Sequence, residues 1–258
     1  MRPSLFALLV FILIAASIAP AQKKNRQAST ASQKSTIKFL TSPFNPEITS
    51  LPPKFKGHNA DLIFNVLYAQ DIQAEKGEFE TTAEWKQRKE IIYGRPLVGT
   101  TDDRSILAFQ LPISATYAAD EQAMLYKIEI DSGGRLLWKQ DVFYQPSYIG
   151  SNVFGLTRRI QPILYSQTTI VADNYQRTWG HFKMEREDAI QRKFSLQALL
   201  VCKLVEPHWK RENEDVQKPT IEKPVEIKIA RTTLFVTALQ VWIFDYLTGH
   251  IYMKQTIQ

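Results

Sequence analysis

The 258-residue chain has a single cysteine, Cys202. This excludes an intramolecular disulfide framework and any structural zinc site built on thiolate pairs, so the fold must rest on packing. There is no G-x-S-x-G elbow to raise a serine on a tight turn, and the nearest string, 150–155, has the wrong spacing. Neither G-x-x-x-x-G-K-[ST] nor G-x-G-x-x-G occurs, which removes two common backbone cradles for nucleotide phosphates. His58, His181, His208 and His250 stand apart, and no H-E-x-x-H or H-x-H spacing aims two imidazoles at one metal. Carboxylates gather as Asp102-Asp103, Glu185/Glu187/Asp188 and Glu212/Glu214/Asp215, which read as solvated turns and loops. The sequence therefore nominates no catalytic residue, no metal ligand and no cofactor.

Only one segment is a long hydrophobic run. Arg2 precedes an apolar stretch over 5–18, and Ala19-Pro20-Ala21 follows, the n-region, h-region and small-residue pattern of a secretory signal peptide. Cleavage is expected between Ala21 and Gln22. Retention as an anchor is the alternative, although the run is shorter than the roughly 20 apolar residues that a membrane helix needs. The expected location is periplasmic or secreted, and the mature chain is expected not to span a membrane.

A net charge of +6 and 32 Lys+Arg invite a nucleic-acid reading, which the placement of the charge removes. Lys23, Lys24, Arg26, Lys34 and Lys38 face only Glu47 within 22–50, while 51–258 holds 26 basic and 25 acidic residues. A nucleic-acid-binding domain carries its basic face on the folded part. Rich in Ser, Thr, Gln and Lys, 22–50 reads as a flexible basic tail that could touch polyanions, with order beginning near Leu51-Pro52-Pro53.

Two helices open the expected domain, 51–258. Asn59 or Asp61 caps the first, whose Leu62, Ile63, Val66 and Leu67 recur at helical spacing to about Gln70. The second begins at a capping box, Thr81-Thr82-Ala83-Glu84, draws apolar contacts from Trp85, Ile91 and Ile92, and stops at Gly94. Strand signals then take over at 105–111, 124–130, 135–144, 148–157, 163–171, 195–205, 225–245 and 251–254, with a short helix over 183–191. Tight turns are expected at Asp131-Ser132-Gly133-Gly134 and around Thr248-Gly249. Leu196, Ala198, Leu200, Cys202 and Leu204 share one strand face, so Cys202 reads as a core thiol. Without βαβ alternation this predicts an α+β fold, an antiparallel β-sheet or sandwich with two N-terminal amphipathic helices packed on it.

The polar stretch 206–222 reads as a long excursion between two core strands. Loops of that length are commonly functional or disordered. Its His208, Trp209, Lys210 and Arg211 are the candidate interaction residues, because tryptophan often anchors interfaces. The competing reading folds Trp209 back onto the sheet.

The string Lys76-Gly77-Glu78-Phe79-Glu80-Thr81-Thr82-Ala83-Glu84-Trp85 resembles a helix-opening K-x-E-F-E-T-T-x-E-[FW] segment of uncharacterised exported bacterial proteins. Tyr148–Gly155 is similar to their Y-[IV]-G-x-N-x-F-G strand, and 241–249 to their closing hairpin. The resemblance implies an envelope setting and one ordered domain, and carries no activity or catalytic residue. The function expected is that of an exported, non-catalytic protein that binds an envelope protein or polymer. The alternatives are an envelope-polymer hydrolase with a dispersed active site and a small-ligand carrier.

Overall fold

The computed structural model describes residues 38–131, 133–175 and 177–257. The expected signal segment, its expected cleavage point between Ala21 and Gln22, and the 22–37 part of the expected tail lie outside the described residues.

In chain order the elements are α1 (Ala60–Ala74), α2 (Thr82–Tyr93), β1 (Leu107–Leu111), β2 (Ile113–Ala118), β3 (Ala123–Ile128), β4 (Leu136–Tyr144), β5 (Tyr148–Ser151), β6 (Thr157–Ala172), β7 (Trp179–Lys183), α3 (Arg186–Arg192), β8 (Leu196–Gln217), β9 (Val225–Asp245) and β10 (Ile251–Thr256). The class is α+β, as expected. Asn59 caps α1, its side-chain oxygen accepting from the Leu62 N–H at 3.1 Å. The capping box of α2 forms as the sequence predicts: the Glu84 N–H donates to the Thr81 hydroxyl, and the Thr81 N–H donates to the Glu84 carboxylate at 2.9 Å. The helix ends at Gly94, but Ile92 is its one fully buried residue, and Ile91 faces solvent. Instead of spreading over a sheet, α2 is tied to α1. The Trp85 indole N–H donates to the Ala74 carbonyl at 2.7 Å, and Arg88 donates to the Gln73 and Glu75 carbonyls while gripping Glu80.

The large sheet has seven strands in the order β1-β8-β9-β6-β4, with β10 added to β9 and β5 to β6; β2-β3-β7 form a second sheet. The expectation of a purely antiparallel sheet is corrected by one pair. β6 and β9 run parallel from Gln161↔Val225 to Ala172↔Val236. The turn opened by Asp131 forms, its carboxylate accepting from the Gly133 and Arg135 N–H groups. It closes a short hairpin, with Ile130 bridged antiparallel to Leu136 and the Asp131 N–H donating to the Arg135 carbonyl at 2.8 Å, and so links the small sheet, where β3 pairs with β2 and β7, to β4, which pairs with β6.

Alternation along β8 buries both of its faces at the N-terminal end. Leu196, Ala198, Leu200, Cys202 and Leu204 join Ile63, Phe64, Leu67, Phe109 and Ile243 in one core. Burial pushes the Cys202 thiol pKa up, away from reactivity. Leu199 and Val201 face the other way, onto Trp242, Phe244, Phe44 and Leu51. This second core corrects the tail boundary, since 38–50 is packed chain. Phe44 sits edge-on to Trp242 with ring centroids 5.2 Å apart, and its N–H donates to the Ile106 carbonyl. The apolar residues there are too widely spaced to give a periodic signal. Each fills a gap over the sheet without belonging to a helix or strand of its own.

Two buried polar groups fasten these pieces. The His58 Nδ1 accepts from the Ala108 N–H at 3.0 Å while Nε2 faces the Ser42 carbonyl at 3.0 Å, an arrangement that suits the neutral Nε2–H ring. Asp245 closes the β9–β10 turn, taking donors from Arg192, the Thr248 hydroxyl and the Leu247 N–H. Burial raises its pKa, but these donors, with Ser195, outweigh burial and hold the carboxyl below the usual range. The expected Thr248-Gly249 hairpin forms because Gly249 takes φ +79° where a Cβ would collide with the Leu51 carbonyl.

The polar excursion over 206–222 is also corrected. After a register shift between Leu204 and Trp209, β8 resumes pairing with β9 from Trp209↔Leu234 to Gln217↔Ile227, leaving only a short connection before Val225. Both faces at this end are largely wet, so the strand lacks the apolar alternation that announces a half-buried strand. Charge pairing holds it instead. Buried Arg231 reaches Glu212 at 3.3 Å, Glu214 at 3.2 Å and Asp131 at 3.4 Å, and its Nε donates to Gln167. Arg135 adds bridges to Asp131 and Glu212.

Burial depresses the pKa of His58 more than its two backbone contacts raise it. The unfolded chain therefore binds a proton that the folded chain resists. The contribution is constant well above the ordinary histidine value of 6.5, and falls as pH drops through that value toward the lower native pKa. Thermal melts should show stability declining between about pH 7.5 and 5, and His58→Gln should flatten that part of the profile. Parallel profiles for the two proteins would exclude His58 as the cause.

Candidate functional site

A groove of about 760 Å³ opens where α1, α2, the 102–104 loop and the β8 register shift meet. It contains two of the four predicted interaction residues, His208 and Trp209, both half-buried. The competing reading folds Trp209 back onto the sheet; its ring instead turns onto a helix. Its ring stands edge-on to Phe64 and Tyr68, with centroids 5.2 and 5.4 Å away, so the contact is with α1.

Beneath that contact lies the polar hub of the groove. Asp71 accepts the Trp209 indole N–H on Oδ2 at 2.8 Å and the Tyr93 hydroxyl on Oδ1 at 2.6 Å, so one carboxylate joins α1, α2 and β8. Burial, reinforced by the Asp71 bond and nearby negative charge, pushes the Tyr93 pKa to about 12. Tyr93 is therefore held as a neutral donor and is not poised to attack or take a proton. Lys89 lies over the rings of Trp85 and Tyr93, 5.3 and 5.5 Å from their centroids. Asp102 accepts from the Ser105 hydroxyl and nearby backbone N–H groups, with Ser105 the main cause of its lowered pKa. Glu90, Asp103 and Glu206 add negative charge to the walls, and Lys86 and Arg104 positive.

Lys210 and Arg211 are not part of this groove. Lys210 is an exposed partner of Glu212 at 2.9 Å. Arg211 lines a smaller hollow with Asp61, Lys139 and Thr168, where Asp61 bridges to Lys139 at 3.3 Å. Sequence reasoning missed Asp71, Tyr93 and Lys89. A usable signal was the stripe Phe64, Tyr68, Asp71 at intervals of four and three, which places two rings and a carboxylate on one face of α1.

No protein-family model, no curated protein and no solved structure matches this chain. Among the described residues no three His, Cys, Asp or Glu side chains are grouped as a metal site requires, and no helix is long and apolar enough to cross a membrane. The arrangement presents mixed charge above a fixed aromatic wall, with its central carboxylate already taken by two donors.

If Asp71 holds the groove together, Asp71→Asn should cost about 1–3 kcal/mol in urea denaturation, because the amide keeps one acceptor for two donors. Trp209→Phe, which retains the ring contacts and loses the indole bond, should cost only about 0.5–1.5 kcal/mol. Equal, negligible losses would refute the hub.

Proposed function

We propose that the protein is an exported, non-catalytic interaction module of the bacterial envelope, acting in the periplasm or outside the cell, with the α1–α2–β8 groove as its contact site. The sequence supports export through its 1–21 segment. The observation that carries the binding reading is the Asp71 hub. A catalytic carboxylate needs a free oxygen toward substrate, whereas both oxygens of Asp71 accept from the groove's own wall and Tyr93 is held protonated. Such a wall suits recognition, being preorganised so that little side-chain order is lost on binding.

The contact chemistry is polar. Lys86, Lys89 and Arg104 stand with Glu90, Asp103 and Glu206 around the half-buried indole, a setting for an envelope polymer or protein segment that carries both charges. An apolar carrier cavity fits these charged walls poorly. The two helices, with α1 supplying Ile63, Phe64 and Leu67 to the core, act as a clamp beside the large sheet and not as a lid.

The test is an NMR titration of the isotope-labelled chain with soluble fragments of envelope glycan and of its cross-linking peptides. The expected result is shifts at the Trp209 indole N–H and at the His208 and Lys89 amides, with the fragments recovered intact. New reducing ends or freed amines would contradict the non-catalytic reading, and shifts confined to other surfaces would contradict the site.

A further inference from the structure

Beyond the groove, one piece of the fold projects with apolar side chains outward. β5 continues the edge position of β4 along β6, with Tyr148↔Ile160 and Ser151↔Thr157 paired. β9 pairs with β6 only from Gln161 onward, so the last four residue pairs form a two-stranded finger roughly 13 Å long. At its tip Val153 is 92% exposed and Phe154 85%, with Leu156 beside them. Ile149, Tyr148 and Tyr144 are exposed along its shaft and base. Other exposed apolar residues, such as Phe79 and Phe194, stand on separate elements, as is ordinary for a protein surface.

The tip is built to hold those side chains out. The Asn152 side-chain oxygen accepts from the Phe154 and Leu156 N–H groups, both at 3.0 Å. The Asn152 N–H donates to the Leu156 carbonyl, the Gly155 N–H donates to the Asn152 carbonyl, and Gly155 takes φ +79°. Phe154 and Val153 therefore sit on a closed, hydrogen-bonded loop from which they cannot fold back onto a core.

Charge selects the partner. Between Asp141 and Asp173 the sequence has no carboxylate, and its only charges are Arg158 and Arg159, both exposed. By strand alternation they lie on opposite faces of the finger, immediately behind the apolar tip. Tyr148 comes next, its hydroxyl donating to Glu226 at 3.3 Å. An apolar tip for the acyl chains, with a cation on each face and a tyrosine behind it for the level of the anionic headgroups, is the set of side chains that an anionic bilayer surface selects. A protein partner would need a deep pocket for so narrow a projection, which offers too little area for a stable flat interface.

We propose that this finger seats its Val153-Phe154 tip in the surface of an anionic lipid bilayer, with Arg158 and Arg159 on the headgroups, holding the protein peripherally at a membrane. The inference is independent of the groove, and a groove that binds nothing leaves it intact.

The experiment is vesicle flotation of the chain beginning at Gln22, which lacks the apolar 5–18 run, using phosphatidylcholine alone or mixed with phosphatidylglycerol. The wild-type chain should float with the anionic vesicles, less so as salt rises, and poorly with the neutral ones. Phe154→Ser should lower partitioning by about tenfold. Arg158→Gln and Arg159→Gln should each lower it by about fivefold and weaken the salt dependence. These side chains are exposed, so circular dichroism and melting should stay unchanged. The basic 22–37 segment is common to all variants; if Phe154→Ser floats like wild type, that segment binds and the proposal fails. Background flotation of the wild type, as expected if the tip serves a protein pocket, also overturns it.

Discussion

The structure depends on the sharing of both edges of β9. One edge is occupied along nearly its whole length by β8; the other is divided, its first half taken by β6 in parallel and its second by β10. A 21-residue strand with every stretch paired has few backbone groups left to satisfy and leaves no open edge for another chain to join. The division also explains the mixed topology. The β9–β10 turn, fixed by Asp245 and Gly249, brings β10 back antiparallel, while β6 lies beside the half that β10 does not reach.

The same strand pair has two environments. Around Leu199–Cys202 and Val241–Phe244 both faces are buried, one in the core that Ile63, Phe64 and Leu67 share and the other against the 38–56 chain. Beyond Trp209 the cover ends, and Arg231 with its carboxylates replaces apolar packing as the cross-strand tie. Removing one partner from such a buried network costs more than the network contributes over an apolar equivalent, which makes it a device for register as much as for stability. The groove lies at the boundary between the two environments, where the β8 register shift swings His208 and Trp209 toward the helices. The apolar finger belongs to the uncovered half. Covered chain thus supplies a scaffold, and uncovered chain supplies contact surface.

Elements with a local cause were legible in the sequence. Thr81 and Glu84 specify their own capping box, Thr248-Gly249 its own turn, and the alternation of Leu196 to Leu204 its buried face. Features decided by distant partners were not. Phe44 is core only because Trp242 lies across from it, and the 209–217 strand is a strand only because Arg231 and Lys228 stand opposite its carboxylates. Its polar composition, read locally, described a loop. Trp209 and His208, singled out by residue type, line the groove, while the places of Asp71 and Tyr93 in it needed the crossing of α1 and α2. The four candidates are one strand segment, yet strand alternation and the register shift send Lys210 and Arg211 elsewhere.

β8 and β9 form one continuous hairpin whose outer half is held by charge pairing. Native-state hydrogen exchange at the amides of Arg211–Asp215 and Lys228–Thr232 tests this most directly. Strong protection of the alternate amides that face the partner strand, lower than at Leu199–Cys202 but far above an open chain, is the predicted result. Exchange at unprotected rates throughout 209–217 would mean that this stretch is a loose excursion, and would contradict the account.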